Sequence, residues 1–527
     1  MADDHISAPG NSGSAPAPRS PARTGARLAL RAADVSLYRL CDALSGVLIS
    51  AMLVFSPWAF GTTQPWSIWS MNGAAYVLGG LFFVKLFIRH LKGYPALRWE
   101  TFSLSTGPQS SHRNRLKRRL TRLLTGLTLG FLAYCLTAAL NAAATYDPET
   151  RLFEYHAYVR WLPHSFDAHR TWFYLWMYLG LAAAFWAVAD WLYGMTANEE
   201  RAARNWMEDD PGNHSGRLPA RLRWLLWLLC LNGALLGLEG ILQRVSGSDK
   251  LLFLVQPHVV PSGEFHFGAY AYRSNAAQYF NLLWPVCLGF WWTLQRTAGR
   301  RSRAHHWLLL AAAIMAACPI ISSSRGGALV AAGLLVAGVI YLTTVSLLSP
   351  TGSRPWLTPA LLGIFLVSAA LLGWYFGWDL LAPRLEQLPG GYASREEMFN
   401  DARPMAADYP VFGTGPGTFA TVFQLYRISH ATYWPEQLHN DWLETRITFG
   451  WVGLGLLLAA LLCVAIRRFA PGGLRGGRRI GVLAWLALGG CLVHAIFDFP
   501  LQIYSILLLF LVLCALLFSL SGRAGQR

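Results

Sequence analysis

Charge is what this 527-residue chain has least of. Asp, Glu, Lys and Arg make up 14% of it, where an ordinary soluble domain carries about a quarter. That shortage excludes a conventional water-soluble globule. Paired cysteines are missing too. The eight Cys stand at 41, 135, 230, 287, 318, 463, 491 and 514, all in apolar stretches and none in a C-x-x-C pair. They read as buried thiols, with neither a disulfide framework nor a metal site. The glycine-rich stretch 413–419, GTGPGTF, lacks the GK[ST] ending of a nucleotide-binding loop. No D-x-D and no dense His/Asp/Cys cluster argues for a metal, and no cofactor is expected. The opening residues, MADDHISAPGNSGSAPAPRSPARTGAR, have no apolar core of the signal-peptide kind. Rich in Ala, Pro, Ser and Gly, they read as a disordered tail over 1–37.

What is present is apolar sequence: 54% of the chain is hydrophobic, with 23 Trp. Apolar runs lie near 38–58, 69–89, 122–143, 172–194, 223–243, 276–296, 307–322, 327–348, 357–378, 443–466, 480–498 and 501–520. Each is near the ~20 residues that cross a bilayer as a helix. The fold expected is therefore an all-α polytopic membrane protein of about twelve spans, with both termini on one side. With the N-terminus inside, 31 Lys and Arg fall in the inner segments and 11 in the outer ones. The positive-inside rule then places both termini in the cytoplasm. The net charge of +16 is thus a topology signal and needs no nucleic-acid partner.

The outer segments include 59–68, 144–171, 244–275 and a long loop, 379–441. A loop of that length is well beyond the usual connection and points to function. Its centre, EEMFNDARPMAADYPVFG, reads as a short amphipathic helix ended by Pro410, with Phe399, Ala402, Met405 and Ala406 on one face.

Several polar residues sit at this outer boundary, where ionisable groups are costly and usually functional. Arg325 lies in a tight break, ISSSRGGALV, beside three serines, two glycines and a helix start. Those features favour an anion such as a phosphate; a plain hairpin with an interface-seeking Arg is the alternative. Arg273 follows Tyr270 and Tyr272 in AYAYRSNAAQ, as either a site residue or part of an interfacial aromatic belt. Glu239, Gln243 and Arg244 cluster at the end of the fifth span, where structural pairing is expected. His439 stands in PEQLHNDWLETR, at the entrance of the tenth span, with Asn440 or Asp441 as its cap. Its imidazole suits proton acceptance. His494 and Asp498 are spaced i, i+4, so the acid could orient the ring. Two guanidiniums and one imidazole make a coherent set for an anionic leaving group and a proton to remove.

From about 223 to 500 the chain resembles the O-antigen ligase and polymerase superfamily of bacterial envelope glycosyltransferases. The resemblance rests on ISSSRGGAL, then REEMFNDARPMAADYPVFGTGPGTF from Arg395, then LHNDWLETRITFGWVGL. AYRSNAAQYFNLLWP and NGALLGLEGILQRVSGSDKLL look like its larger ligase-like members. The resemblance implies transfer of a glycan from undecaprenyl diphosphate to an acceptor hydroxyl, at the periplasmic face of the bacterial inner membrane. Lipid A–core is the ligase acceptor, another lipid-linked repeat the polymerase acceptor, and Ser or Thr the acceptor of protein O-oligosaccharyltransferases. It also implies a metal-independent, inverting reaction.

Carried over, Arg273 and Arg325 would clamp the diphosphate and His439 would take the hydroxyl proton. Arg395, opening the loop helix, Asn440 and Asn275 would contact substrate. Gly413, Gly415 and Gly417 would lend flexibility near the sugar. Glu239, Arg244, His494 and Asp498 would support. The expected organisation is a cytoplasmic tail (1–37), an N-terminal bundle (38–222), a catalytic region (223–520) holding the loop 379–441, and a short tail (521–527). A lipid-linked sugar transporter is the alternative from another class. It would prefer inverted repeats and Gly- or Pro-broken helices at midplane; the sequence shows no such internal symmetry, and its polar residues gather at one face.

Overall fold

The computed structural model of the chain describes residues 29–99, 108–202, 218–257, 263–297, 304–348, 357–428, 434–469 and 475–520. Each expected apolar segment falls largely within a helix. The first four are α1 (Ala32–Trp58), α2 (Pro65–His90), α3 (Pro108–Leu140) and α4 (Ala168–Tyr193). Next come α5 (Ala220–Ser246), α6 (Arg273–Thr297), α7 (Trp307–Ile321), α8 (Arg325–Leu348) and α9 (Leu357–Glu386). A loop helix, α10 (Leu388–Asp408), precedes α11 (Asp441–Phe469), α12 (Arg475–His494) and α13 (Tyr504–Leu520). Between α3 and α4 runs a small antiparallel hairpin, β1 (Ala144–Asp147) and β2 (Leu152–Tyr155).

The protein is thus an all-α polytopic membrane protein. Among the described residues nine helices are long and apolar enough to cross a bilayer, and the apolar parts of α12 and α13 are shorter. Helix α6 is outside that set, because Asn275, Gln278, Asn281, Gln295 and Arg296 lower its hydropathy. It is the central helix. Trp284, Phe290, Trp291 and Trp292 are all at most 1% exposed, and α7, α8, α12 and α13 pack around it. All eight cysteines are buried.

The boundaries depart from expectation in four places. The tail expected at 1–37 lies outside the described residues up to 28, and α1 already begins at Ala32; the tail at 521–527 is outside them too. Helix α9 runs on to Glu386, so part of the expected outer loop is helical. Helix α10 starts at Leu388, which puts Arg395 inside it and not at its opening. Helix α12 stops at His494, so Asp498 sits in the following turn. The face of α10 is as expected: Phe399, Ala402 and Met405 are buried with Leu438 and Ile447, and Ala406 packs beside them.

Two polar devices hold the bundle. Asp42, in the N-terminal half of α1, and Asp190, near the end of α4, are ion-paired. Lys85 lies 3.1 Å from Asp42 and 2.8 Å from Asp190, Arg89 and Arg98 reach Asp190 at 2.8 and 2.7 Å, and Arg221 also binds Asp42. Buried acids of this kind persist only when paired.

The second device is a broken helix. Gly450 (φ 59°, ψ −167°) interrupts α11, and the loop 410–415 makes the missing hydrogen bonds. Thr414 and Gly415 donate to the Ile447 and Thr448 carbonyls at 2.9 and 3.0 Å, and Trp451 and Val452 donate to Pro410 and Val411 at 3.0 and 3.1 Å. Within a bilayer, backbone groups freed by a break must find partners in the protein, and this loop supplies them. The expected freedom of the glycine stretch is therefore corrected. Gly413 (φ 67°), Gly415 (φ 111°) and Gly417 (φ 77°) are fixed at positive φ, with room for no side chain against Ile447, Ser165 and Tyr174.

Candidate active site

The site grows from the turn between α12 and α13. Helix α11 is fastened to that turn at its first residue: the Asp441 N–H donates to the Ala495 carbonyl at 2.9 Å, and the Leu501 N–H donates to Asp441 Oδ2 at 2.8 Å. Asn440 caps the helix, its Oδ1 accepting from the Leu443 N–H at 3.0 Å. Glu444 reaches back to the Leu438 N–H at 2.8 Å. Arg446 stacks 4.3 Å over the Trp451 ring. The acids and amides of PEQLHNDWLETR are mostly fasteners, and they present one residue. His439 is held at φ 57°, a conformation that non-glycine residues adopt only when their surroundings impose it.

Held there, His439 Nδ1 lies 3.2 Å from Asp498 Oδ1. The ring stands edge-to-face on Phe499 at 4.7 Å and on Tyr272 at 5.9 Å. Its side chain is 28% exposed against 4% for Asp498, so the imidazole faces the opening and the carboxylate stays behind it. Asp498 is a hub. Besides His439 it takes hydrogen bonds from Ser274 Oγ and, at 3.4 Å, from Tyr272 OH, with Arg395 Nη2 at 3.8 Å. Burial pushes its carboxyl up. The hydrogen bond and charge of His439, with Arg395 and His494, outweigh burial and hold it below the usual carboxylate range.

Four arginines surround this pair. Arg395 donates to the Phe497 carbonyl and, at 3.2 Å, to Tyr272 OH. Arg273, buried, donates to the Glu264 carbonyl at 2.8 Å and stacks 4.7 Å from the Phe265 ring. Arg325 donates to the Gln387 carbonyl at 3.0 Å, and Arg384 to the Ser323 carbonyl at 2.8 Å. Each lies within electrostatic reach of at least one other. Their hydrogen bonds go largely to carbonyls, and the acids among them are Asp498 and Glu264, so the site carries surplus positive charge. Arg384 was not singled out in the sequence, where it looked like one more loop cation. The signal that could have found it is its place just beyond Trp378-Asp379, one helical extension from the SRG break.

Other expected members do different work. His494 is buried and turned to Gln278, its Nδ1 2.8 Å from Oε1, with Ser274 Oγ 3.2 Å from its Nε2; Asp498 stands 3.8 Å away. The expected His494–Asp498 contact is thus present but long, and the closer partner of Asp498 is His439 at 3.2 Å. The serines of the SRG break are buried. Ser324 caps α8 through the Gly327 N–H at 3.1 Å. The two glycines admit neighbours, a Cβ at Gly326 falling 2.6 Å from the Phe497 ring and one at Gly327 2.3 Å from Ala277. Asn275 is buried in the first turn of α6. Arg244 does not pair with Glu239. It donates to the Gly263 and His266 carbonyls at 3.2 and 3.1 Å, while both Glu239 carboxylate oxygens are buried without a hydrogen bond. Tyr270, a candidate belt ring, is 1% exposed and bonds Ser505.

Fold and site together define a polytopic membrane protein with a histidine–carboxylate pair set among arginines at one end of its bundle. Residues 310–458 match the family model described as O-antigen ligase. The match spans 149 of the 527 residues and makes that part of the chain similar to the O-antigen ligase family. The matched stretch holds Arg325, Arg384, Arg395 and His439; Arg273 and Asp498 lie on either side of it. No curated protein matches the chain.

Proposed function

We propose that this chain transfers a glycan from undecaprenyl diphosphate to an acceptor hydroxyl at the periplasmic face of the inner membrane, most closely as an O-antigen ligase with lipid A–core as acceptor. The observation that carries the reading is the His439–Asp498 pair among four arginines. A diphosphate is already an activated leaving group, so the step needs charge neutralisation and positioning more than covalent chemistry. The acceptor oxygen attacks the anomeric carbon as the bond from that carbon to the phosphate oxygen breaks. The electron pair leaves with the undecaprenyl diphosphate, where Arg273, Arg325 and Arg384 meet its charge. The hydroxyl proton goes to His439 Nε2. Asp498, on Nδ1, fixes the tautomer that leaves Nε2 free to accept and stabilises the imidazolium formed.

The catalytic region proposed, 223–520, holds all of these residues. The bundle 38–222 braces the glycine loop through Tyr134, whose hydroxyl bonds the Phe412 and Phe449 carbonyls. Polymerases and protein O-oligosaccharyltransferases would use the same site and differ in the acceptor. The break in α11 is of the kind transporters use, but the loop bonds the Ile447, Thr448, Trp451 and Val452 backbone groups and Tyr134 the Phe449 carbonyl, which favours a fixed scaffold over a moving gate.

The test is a purified preparation given an undecaprenyl-diphosphate glycan with lipid A–core, glycan and protein acceptors side by side, with and without EDTA. Transfer to lipid A–core that survives chelation is expected. Transfer only to another acceptor reassigns the member of the family. Loss on chelation, restored by a divalent ion, overturns the metal-free step.

A further inference from the structure

A large cavity lies away from this site. It measures about 1170 Å³ and lies at the opposite end of the bundle, between α1, the stretch after α2, the end of α4 and the start of α5. Helices α1 and α5 are tied at the far end: Trp58 Nε1 donates to Asn232 Oδ1 at 2.8 Å, and Asn232 donates to the Leu53 carbonyl. Toward their N-termini the two helices part around the cavity, where Arg221 spans to Asp42.

The lining has two characters. It carries Arg39, Arg201 and Arg221 with Asp42 and Glu200, and also Val47, Leu97 and Trp224. Val47 is 68% and Trp224 58% exposed, so apolar lining also reaches the outside of the bundle, where hydrocarbon would lie. Behind the wall, Lys85, Arg89 and Arg98 crowd on Asp190, and Lys85 also reaches Asp42. Among the described residues six cations thus stand with four acids: Asp42, Asp190, Glu199 and Glu200. Among the described residues Arg89 Nε and Nη1 are buried without a hydrogen-bond partner. A small-molecule cleft occupies roughly 300–1,000 Å³, so this volume suits a large amphiphile better than a lone ion.

We propose that the cavity binds an anionic phospholipid, its phosphate headgroup between Arg39 and Arg201 and an acyl chain along Val47 and Trp224. Basic pockets between membrane helices are recognised sites for such headgroups.

The test is native mass spectrometry of the full chain released from nanodiscs of phosphatidylglycerol or of phosphatidylcholine. It compares the wild type, the exposed pair Arg39→Ala/Arg201→Ala, and Arg403→Ala, which removes a cation from the other end. Wild type and Arg403→Ala should keep phosphatidylglycerol in preference to phosphatidylcholine, and the pair should lose it by roughly 10- to 30-fold. Equal retention of both lipids, or no effect of the pair, overturns the proposal. Displacement by inorganic phosphate at the same concentration would make the site one for a free anion. Binding that appears only after residues 1–28 are removed would make that segment the occupant. Either result also overturns it.

Discussion

The Nδ1 atom of His439 and the Oδ1 atom of Asp498 are 3.2 Å apart across 59 residues of chain. The pair should act as a unit. Asp498→Asn should lower transfer by roughly 10²–10⁴-fold, the range that removing base assistance costs. Combining it with His439→Ala should cost little more than His439→Ala alone. Rates from the two single variants and the double variant, with expression and thermal unfolding monitored, check this. Additive losses would show that the carboxylate acts apart from the ring.

Arg384 should matter as much as Arg325. Both bond backbone carbonyls and neither meets an acid within ion-pair distance among the described contacts, which leaves their charge available to a diphosphate. Each Ala variant should lose roughly 10²–10³-fold in transfer. Lys variants should recover only part of it, since an ammonium cannot reproduce the guanidinium fork. Full activity in Arg384→Ala would remove that residue from the anion site.

The glycine loop should be intolerant on structural grounds. A Cβ at Gly413 would fall 2.5 Å from the Ile447 carbonyl oxygen, and one at Gly450 2.2 Å from the Val411 carbonyl oxygen. Both positions also have positive φ. Gly413→Ala and Gly450→Ala should each cost about 1–3 kcal/mol or more, read as a lower unfolding midpoint in detergent. Unchanged midpoints would mean that the loop and the helix break are not locked together.

Stability should depend on pH through Asp498. Its carboxyl sits below the usual carboxylate range in the folded protein, through the His439 hydrogen bond and nearby positive charge working against burial. A group lowered on folding adds stability above its unfolded value, about 4, and loses it as pH falls toward the folded value. The unfolding-midpoint gap between wild type and Asp498→Asn should hold from pH 7 to about 4 and shrink below that. A gap that shrinks well above pH 4 would contradict the ion-paired assignment.

Most of the fold was legible because each span is a continuous apolar run, a signal carried by neighbouring residues. The buried face of α10 was legible for the same reason: Phe399, Ala402 and Met405 repeat with the helical period. What stayed hidden depends on distant residues. The i, i+4 spacing showed that Asp498 lies near His494, at 3.8 Å, but not that its closer partner is His439, 59 residues away. Arg384 reads as a loop residue because the apolar run stops at 378, yet α9 continues to Glu386. The break at Gly450 was invisible because glycine is ordinary in an apolar helix and only the docking of loop 410–415 reveals it. Arg273, Arg325 and His439 were legible as costly ions at a membrane boundary, and the fold brings all three to one end of the bundle.

The most direct test of the account is one assay on two proteins. Wild type and His439→Ala, both shown to be folded and inserted, are given the same undecaprenyl-diphosphate glycan and acceptor, and product is measured over time. The account predicts glycan transfer by the first and its near-complete loss in the second. Equal turnover by the two would contradict it.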